Sequence, residues 1–231
     1  MAGRKAVVVG ATGATGEHVL GQLLMDGHWQ TVVAVGRRDA PVPPEYPPDQ
    51  HKAQLQQVKV NMDALETEAA GAFAGADAVF CCLGTTRAAA GSAEAFLKVD
   101  YGYVCATARA AKAGGAPHFA LVSSAGANAN MWANDWKIFH SLLYPRTKGQ
   151  AEEYVKSQGF ASCAIYRPGL LLRGDKARGV EKAFVRLPFL SSLPTTSLAR
   201  SMVADAKREP RAGLRMVTMD DLLKDMAAAG Q

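Results

Sequence analysis

The sequence KAVVVGATGATG at residues 5–16 decides the fold. An apolar run is followed by glycines at Gly10, Gly13 and Gly16, which is the arrangement of a strand, a tight turn and the start of a helix. Gly10 permits the turn, Gly13 lets the backbone approach a pyrophosphate, and Gly16 allows the helix to pack closely on the strand. A helix at about residues 15–26 would offer unpaired N–H groups to phosphates. The stretch therefore predicts a dinucleotide-binding turn, although ordinary strand-to-helix turns also collect glycine and threonine.

Length and composition limit the class of protein. The chain has 231 residues, of which 48% are hydrophobic, so we predict a single domain over residues 1–231. No stretch approaches about 18 apolar residues, and no separate apolar segment precedes the first strand, so we expect no membrane span and a cytoplasmic, unexported protein. The formal charge of +5 comes from scattered Lys and Arg residues, which argues against nucleic-acid binding and suits a ligand that carries phosphates.

Four cysteines, Cys81, Cys82, Cys105 and Cys163, lie in apolar segments. They form no CxxC pair and no Cys/His pair, so we expect neither a metal site nor a disulfide framework. We interpret them as reduced core residues. Cys82 alone falls near the expected edge of the cofactor site.

Short apolar runs alternate with helix-like segments along the chain. The predicted strands lie at residues 6–10, 31–36, 55–60, 77–84, 118–124 and 162–169, and the predicted helices at about 15–26, 64–74, 93–113 and 145–158. Runs rich in Val, Ile, Phe and Leu with this alternation are typical of a buried parallel sheet. The predicted fold class is therefore α/β, a doubly wound Rossmann-type parallel sheet.

Two segments lie outside this alternation. Residues 39–54 contain five prolines and little periodic hydrophobicity, and they predict a surface loop. Near the end, residues 197–210 predict a helix, 214–218 a short strand and 220–230 a closing helix. Only about 60 residues follow the sixth strand, so we expect a small C-terminal cap, formed mainly by residues 170–231.

The end of the second strand bears on the choice of cofactor. In a doubly wound sheet this position meets the adenosine ribose, where a carboxylate selects NAD and a basic group admits the 2′-phosphate of NADP. The sequence reads Gly36-Arg37-Arg38 here, which favours NADP(H), because guanidinium groups form charge-assisted hydrogen bonds with phosphate. One of the two arginines could instead face solvent. Asp63, after the third strand, is open to two interpretations, contact with adenine or a helix N-cap.

Tyr144 and Lys148 stand four positions apart, so a helix would place the phenol and the ammonium on one face. A free tyrosine has a pKa near 10, and lowering it to about 7 needs roughly 4 kcal/mol, which an adjacent cation in a partly dry site can supply. This spacing often occurs by chance, but the pair falls between the fifth and sixth strands, and such folds bind ligands at the carboxyl ends of strands. Because Pro145 is acceptable only in the first turn, we predict that this helix begins at or just before Tyr144.

Ser123 and Ser124 end the fifth predicted strand. A serine hydroxyl there could hold a substrate carbonyl oxygen while Tyr144 delivers a proton to that oxygen. We assign this role to Ser124. Ser123 is expected to bond the backbone instead.

Taken together, GATGATG at 10–16, the serine pair, YxxxK and RPG at 167–169 resemble the short-chain dehydrogenase/reductase superfamily over nearly the full length. The segments GRR at 36–38, DAVFCCLGTTR at 77–87, AAKAGGAPHFALVSSAGA at 110–127 and YRPGLLLRG at 166–174 are similar to its atypical, Tat-interacting oxidoreductase-like branch. The resemblance implies NADP(H) binding and catalytic roles for Ser124, Tyr144 and Lys148. The predicted cofactor-binding residues are Gly10, Thr12, Gly13, Ala14, Thr15, Gly16, Arg37, Arg38, Asp63, Ala64, Cys82, Leu83, Gly84, Tyr144, Lys148 and Pro168.

Two features depart from the pattern of this superfamily. Where most members have an asparagine that supports a proton-relay water, this sequence has Asp100, whose charge would alter the environment of the lysine. The interval from Ser124 to Tyr144 is longer than expected for the branch. It contains Trp132 and Trp136, which indicate either a substrate lid or partner surface, or a local hydrophobic cluster.

Three functions are compatible with these residues. The leading prediction is an NADPH-dependent oxidoreductase that reduces a small carbonyl substrate at a Ser-Tyr-Lys site. The alternative from a different class is an NADPH-binding sensor that acts on a protein partner with little or no turnover. A nucleotide-sugar epimerase or dehydratase is less favoured, because the C-terminal region is too short for a large substrate lobe. A homodimer is compatible with each of these predictions.

Overall fold

The computed structural model describes residues 3–132, 140–172, 192–208, 213–228 and 230. The strands within these residues are β1 Lys5–Val9, β2 Thr31–Gly36, β3 Gln54–Lys59, β4 Ala78–Cys81, β5 His118–Val122, β6 Ser162–Tyr166, β7 Leu170–Leu172, β8 Ser192–Pro194 and β9 Gly213–Val217. Seven of the described strands form one sheet in the order β3-β2-β1-β4-β5-β6-β9, and every pairing in it is parallel. The predicted α/β class with a doubly wound parallel sheet is confirmed.

The strand order creates a crevice beside β1. From β1 the chain builds outward through β2 to β3, and then returns to place β4, β5, β6 and β9 on the other side. Val9 at the end of β1 pairs with Val35 of β2 and with Cys81 of β4, so the carboxyl ends of these strands share one edge. A doubly wound sheet binds its ligands at this edge, where the direction of winding reverses.

Helices cover both faces of the sheet. They are α1 Gly16–Met25, α2 Leu65–Glu68, α3 Ala70–Phe73, α4 Arg87–Ala90, α5 Ala93–Leu97, α6 Val104–Ala113, α7 His140–Ser157, α8 Thr195–Asp205 and α9 Met219–Ala228. On one face, Leu20 of α1 and Leu198 of α8 are fully buried in a single hydrophobic cluster. On the other face, Phe73 of α3 and Val155 of α7 belong to a second cluster. Because both faces are covered, the central strands consist almost wholly of apolar residues.

The long helix predicted at residues 93–113 is interrupted. Helix α5 is followed by a π-helical turn, Lys98–Tyr103, before α6 begins. A π turn adds a residue to the helical repeat and redirects the side chains that follow it, and such turns are frequent at functional sites. Here the turn places the carboxylate of Asp100 in the protein interior, with no exposed surface.

Helix α7 begins earlier than predicted. We predicted a start at or just before Tyr144, but the helix runs from His140 and contains Pro145 in its interior. A proline at this position costs one intrahelical hydrogen bond. The helix is held on both sides of the proline, because Leu143 is buried and the Asn128 N–H donates to the Pro145 carbonyl at 2.9 Å. These contacts explain why the proline does not start the helix.

The proline-rich segment 39–54 packs against the outer face of α1. Its only helical structure among the described residues is the short 3₁₀ helix Pro48–Gln50. The ring of Tyr46 lies directly over Gly21, where an added Cβ would be 2.1 Å from the ring. Ala53, near the end of the segment, is buried. The predicted surface loop is therefore a layer that covers α1.

The region after residue 170 is divided between the main fold and a smaller unit. Helix α8 packs on α1, and β9 pairs with β6 as the last strand of the main sheet. The parallel pair of β7 and β8 lies outside that sheet. The cap predicted for 170–231 therefore reduces, among the described residues, to β7 and β8, and residues 173–191 lie outside the described part. In the part that the structure describes, no helix combines the length and the apolar character that a membrane crossing requires.

Candidate functional site

The three glycines of the turn between β1 and α1 have different surroundings. Gly10 has a φ of +88°, and a Cβ there would lie 2.8 Å from the backbone of Cys82. A Cβ on Gly16 would lie 2.2 Å from the carbonyl oxygen of Gly10. The nearest atom to a Cβ on Gly13 is 3.3 Å away, and Gly13 lines the crevice. Packing therefore requires Gly10 and Gly16 to be glycines, whereas Gly13 leaves the crevice open.

The backbone of this turn presents donors to the crevice. The Gly13 N–H donates to Gly10 at 3.0 Å, and the Glu17 N–H donates to Gly13 at 3.0 Å. Between these two bonded groups, the N–H groups of Ala14, Thr15 and Gly16 make no backbone hydrogen bond among the described residues, and the helix dipole is positive at this end. Ala14 and Thr15 line the crevice at this point. Together these groups form a site for an anion such as a pyrophosphate.

A continuous groove runs along the carboxyl edge of the sheet. It consists of a β2 cavity of about 520 Å³ between the turn and the end of β2, a π-turn cavity of about 970 Å³ beside Lys98–Tyr103, and an α7 cavity of about 650 Å³ between β4, β5 and α7. Leu83 lines all three cavities, and Gly13 lines the second and third. The groove thus connects the glycine-rich turn to both Arg37 and Tyr144.

Arg37 and Arg38 stand at the β2 end of the groove. Both line the β2 cavity, and both side chains are exposed. Among the described residues, neither guanidinium forms an ion pair, so their charge is not neutralised by a carboxylate of that part of the chain. Arg37 also lines the π-turn cavity, which places it closer to the middle of the groove.

Asp63 does not have the N-cap role that we considered for it. It lies in the 3₁₀ turn Met62–Ala64, and the N-cap of that turn is Asn61, whose side chain accepts a hydrogen bond from the Asp63 N–H. The Asp63 carboxylate accepts hydrogen bonds from Lys98 at 2.8 Å and from the Tyr103 hydroxyl at 3.0 Å, and these bonds lower the pKa of Asp63. Asp63 therefore holds in place two side chains that line the groove.

Cys82, Leu83 and Gly84 follow β4 and form the wall of the groove. Burial, together with the neighbouring Cys81, raises the pKa of the Cys82 thiol, so this thiol stays protonated at neutral pH. An added Cβ on Gly84 would lie 3.5 Å from the ammonium of Lys148. Because Gly84 has no side chain, only its backbone separates the groove from the Lys148 ammonium.

The two serines after β5 have different partners. The Ser123 hydroxyl donates to the buried carboxylate of Glu152 at 2.5 Å, and not to the backbone as we predicted. The Ser124 hydroxyl is buried and has no hydrogen-bond partner among the described residues. A buried hydroxyl without a partner is costly, and it is expected to be satisfied by a ligand or a water molecule. Ser124 lines the α7 cavity, so its hydroxyl is available to a ligand there.

Tyr144 and Lys148 both line the α7 cavity from one face of α7. The tyrosine side chain is 37% exposed, and its ring packs against Phe96 with the ring centroids 5.9 Å apart. The lysine, in contrast, is buried. The phenol is therefore accessible from the cavity, while the ammonium is shielded from solvent.

The Lys148 ammonium is held by two oxygen atoms. It lies 3.2 Å from the carboxylate of Asp100 and donates to the Val122 carbonyl at 3.3 Å. The second oxygen of Asp100 accepts a hydrogen bond from the Thr85 N–H at 2.8 Å. Burial is the largest single influence on the pKa of Lys148 and lowers it, but the Asp100 carboxylate and Tyr144, with a smaller contribution from Cys81, together raise the pKa above its ordinary value. Lys148 therefore stays charged at neutral pH.

A second buried ion pair lies behind the serines. The Glu152 carboxylate is fully buried and accepts hydrogen bonds from the Arg167 guanidinium, including one from Nε at 3.0 Å. We did not identify Glu152 from the sequence. The signal was available, because Tyr144, Lys148 and Glu152 recur at intervals of four on one helix face.

Three more of the predicted residues line the groove, whereas Ala64, at the end of the 3₁₀ turn Met62–Ala64, lines none of its three cavities. Thr12 and Gly10 line its β2 and π-turn cavities, and Pro168 lines the α7 cavity. Trp132 is 64% exposed, and Trp136 lies outside the described residues. Within the described residues, no group of His, Cys, Asp and Glu side chains is arranged to hold a metal ion.

Comparisons with known proteins identify the family of this chain. Residues 10–208 match a protein family described as NAD(P)H-binding. Protein HTATIP2 of Rattus norvegicus is 36% identical over 194 residues, which cover 84% of this chain and 73% of the rat protein. The mitochondrial protein FMP52 of Candida glabrata is 33% identical over 176 residues, which cover 76% of this chain and 67% of the yeast protein.

Among solved structures, MoeE5 in complex with UDP-glucose and NAD has a TM-score of 0.69. The alignment covers 98% of this chain and 82% of MoeE5, at 16% identity. This similarity supports the Rossmann-type fold. At such low identity it carries no information on the substrate.

The expected cytoplasmic location is wrong. FMP52 of Candida glabrata and several other fungal relatives are named as mitochondrial proteins. Our expectation depended on the lack of an apolar leader, and this criterion detects only secretory signals. Mitochondrial targeting sequences are amphipathic and rich in arginine, so a search for apolar segments does not find them.

Proposed function

Since the chain belongs to the NAD(P)H-binding family, within the atypical short-chain dehydrogenases/reductases that its motifs resemble, we propose that it is an NADPH-dependent reductase of small carbonyl compounds. One observation carries the proposal. Ser124, Tyr144 and Lys148 line the same α7 cavity as Gly13 and Thr15 of the glycine-rich turn. An anion site and an accessible phenol thus belong to one groove, as a dinucleotide-dependent reductase requires.

The groove fits a nicotinamide dinucleotide. Gly13 leaves space at the start of α1 for a pyrophosphate, and Ser124, whose hydroxyl is unpartnered among the described residues, lines the same α7 cavity. We assign the 2′-phosphate of NADP to Arg37 and Arg38, because exposed guanidiniums without a carboxylate partner in the described chain favour a phosphate ligand. The proposed specificity is therefore for NADP(H) over NAD(H).

A reduced nicotinamide, when bound, supplies a hydride equivalent to the carbonyl carbon of a substrate. The chain's own residues act on the carbonyl oxygen. The Ser124 hydroxyl donates a hydrogen bond that orients this oxygen, and the Tyr144 phenol transfers its proton to it. Lys148 follows the phenol by one turn on the same helix face, where its ammonium, balanced by Asp100, can donate a hydrogen bond to the phenolate left by proton transfer.

The lining of the α7 cavity suits a small carbonyl compound. The polar side chains of Ser124 and Tyr144 line it together with the apolar side chain of Leu171 from β7. We therefore propose a small aldehyde, ketone or quinone as the substrate.

The test is a panel of aldehydes, ketones and quinones, with NADPH oxidation followed at 340 nm. The Tyr144→Phe variant should retain NADPH binding, measured by fluorescence titration, and lose turnover by about 10²- to 10⁴-fold, the range for loss of a general acid. Tyr101→Phe is the matched control, because Tyr101 is as exposed as Tyr144, at 37%, and lines none of the three cavities. Equal activity of the wild type and Tyr144→Phe would contradict the proposed mechanism.

A second candidate is an NADPH-dependent sensor that binds a protein partner. The supporting observation is Trp132, which is 64% exposed and follows Ser124 by eight positions along the chain. Large exposed aromatic side chains are enriched at protein interfaces. Tight NADPH binding without turnover of any carbonyl in the panel would favour this candidate over the reductase.

A further inference from the structure

Asp100 is a buried charged residue beside the groove that the mechanism above does not use. The π turn leaves it with no exposed surface. One carboxylate oxygen lies 3.2 Å from the Lys148 ammonium, and the other accepts the Thr85 N–H at 2.8 Å. The carboxylate is therefore hydrogen-bonded to the backbone at one oxygen and ion-paired with the lysine at the other.

Among the described residues, Asp100 is the carboxylate that pairs with the Lys148 ammonium, whereas Glu152, one turn further along α7, is paired with Arg167. The side chains that face the ammonium are Asp100 from the π turn, Tyr144 from α7, Cys81 from β4 and Cys82 after β4, and the Val122 carbonyl adds a dipole from β5. Burial raises the pKa of Cys81 to about 11 and raises that of Cys82 further, so both thiols are neutral at pH 7. Asp100 and Lys148 therefore cancel each other, and the pair has no net charge.

The pair acts on the groove at close range. An added Cβ on Gly84 would lie 3.5 Å from Asp100 Oδ1 and 3.5 Å from Lys148 Nζ, so the two charges are equally near this point of the groove wall. A lone ammonium here would attract negative charge and favour a phenolate. A neutral pair gives much less preference for the phenolate.

Resting on the reductase function above, we propose that Asp100 is a positioning residue that holds Lys148 and cancels its charge, so that Tyr144 remains a neutral phenol and serves as a proton donor. A neutral phenol supports reduction of a carbonyl. A phenolate would instead accept a proton from an alcohol and support oxidation. An asparagine at position 100 would leave the lysine charge unopposed and shift the site toward oxidation.

The test follows the phenol directly and requires no substrate. Protein labelled with ¹³Cζ-tyrosine is titrated by NMR, and the Tyr144 resonance is assigned by its loss in Tyr144→Phe. In Asp100→Asn, the midpoint of the Tyr144 titration should move to lower pH by about one unit or more, because a nearby negative charge has been removed. An unchanged midpoint would overturn the proposal.

A thermodynamic cycle keeps the test decisive if Asp100→Asn does not fold. Lys148→Met leaves the carboxylate unopposed, and the double variant Lys148→Met/Asp100→Asn contains neither buried charge. The proposal expects the Tyr144 midpoint to be lower in the double variant than in Lys148→Met, whereas identical midpoints would refute any electrostatic action of Asp100. If the titrations shift as expected but no carbonyl is reduced, the proposed reductase function fails and the charge balance of the site stands.

Discussion

Replacing the glycines of the turn one at a time should separate packing from ligand binding. A Cβ on Gly16 would lie 2.2 Å from the Gly10 carbonyl oxygen, well inside van der Waals contact, and the obstacle is backbone that cannot rotate away. Gly16→Ala therefore overpacks the junction of β1 and α1. A Cβ on Gly13 would meet Gly10 at 3.3 Å, which a shift of a few tenths of an ångström relieves. Gly13→Ala should spare the fold and obstruct the ligand.

The expected magnitudes differ enough to measure. Overpacking of this kind costs about 1–3 kcal/mol, and at the upper end Gly16→Ala lowers Tm by roughly 6–12 °C for a chain of this size. Gly13→Ala should cost less than about 1 kcal/mol in stability. Its methyl group would occupy space needed by a pyrophosphate, and we expect NADPH affinity to fall by about 10- to 100-fold.

Gly71→Ala provides the matched control. Gly71 lies in helix α3, its φ is not positive, and no atom lies within 4 Å of an added Cβ. Alanine is favoured over glycine in a helix by roughly 0.5–1 kcal/mol, so this variant should raise Tm by a few degrees and leave NADPH binding unchanged. The assays are thermal unfolding by circular dichroism and NADPH titration by fluorescence. Equal loss of Tm in Gly13→Ala and Gly16→Ala would refute this division of roles.

Three further predictions follow from the site. The double variant Arg37→Ala/Arg38→Ala should weaken NADPH binding by about 10- to 100-fold and NADH binding little, because each exposed guanidinium contributes about 1.5 kcal/mol or less to the binding of the 2′-phosphate. Isothermal titration calorimetry measures both affinities, with Lys224→Ala as the control. Equal losses for the two nucleotides would exclude the assignment of these arginines to the 2′-phosphate. Ser123→Ala should lower the unfolding free energy by about 1–3 kcal/mol, because the buried Glu152 carboxylate loses a hydrogen-bond donor. Ser124→Ala should leave the unfolding free energy nearly unchanged, because the Ser124 hydroxyl has no hydrogen-bond partner among the described residues. Urea unfolding measures both variants, and a larger loss in Ser124→Ala would contradict the hydrogen-bond pattern. The pKa of Lys148 is raised in the folded state, so the stabilisation that its charged form gives the fold is complete below the unfolded value of 10.5 and is lost as the pH rises through the folded value. The difference in unfolding free energy between the wild type and Lys148→Met/Asp100→Asn should therefore be constant near neutral pH and change only above about pH 10. A change in this difference between pH 6 and 8 would count against the prediction.

The main strands of the sheet were predictable because burial on both faces leaves a continuous apolar run. The prediction for β2, residues 31–36, agrees with Thr31–Gly36, and that for β5 begins at the observed His118. The ends of β4 and β6 were placed too late, since the residues after Cys81 and Tyr166 are apolar or small although they form the groove wall. Hydrophobicity marks burial, and it does not distinguish a strand from the backbone that follows it.

Helix interruptions were harder to predict. The stretch 93–113 has helical periodicity throughout, and nothing in its composition marks the π turn Lys98–Tyr103. The turn depends on tertiary contacts, because it lets Asp100 reach both Lys148 and the Thr85 N–H. Likewise, the proline rule placed the start of α7 at Tyr144, whereas contacts made by Leu143 and by the Pro145 carbonyl extend the helix beyond it.

The stripe formed by Tyr144, Lys148 and Glu152 explains how α7 holds its phenol in place. Each buried charge on this stripe faces an ion from another element, Asp100 from the π turn and Arg167 after β6. Removing the partner of a buried charge costs about 3–5 kcal/mol, so α7 cannot slide or rotate on the sheet without separating both pairs. The polar residues on the sheet-facing side of α7 therefore fix the register of the helix, and with it the position of Tyr144. A prediction based on hydrophobicity alone would place these polar residues on the surface.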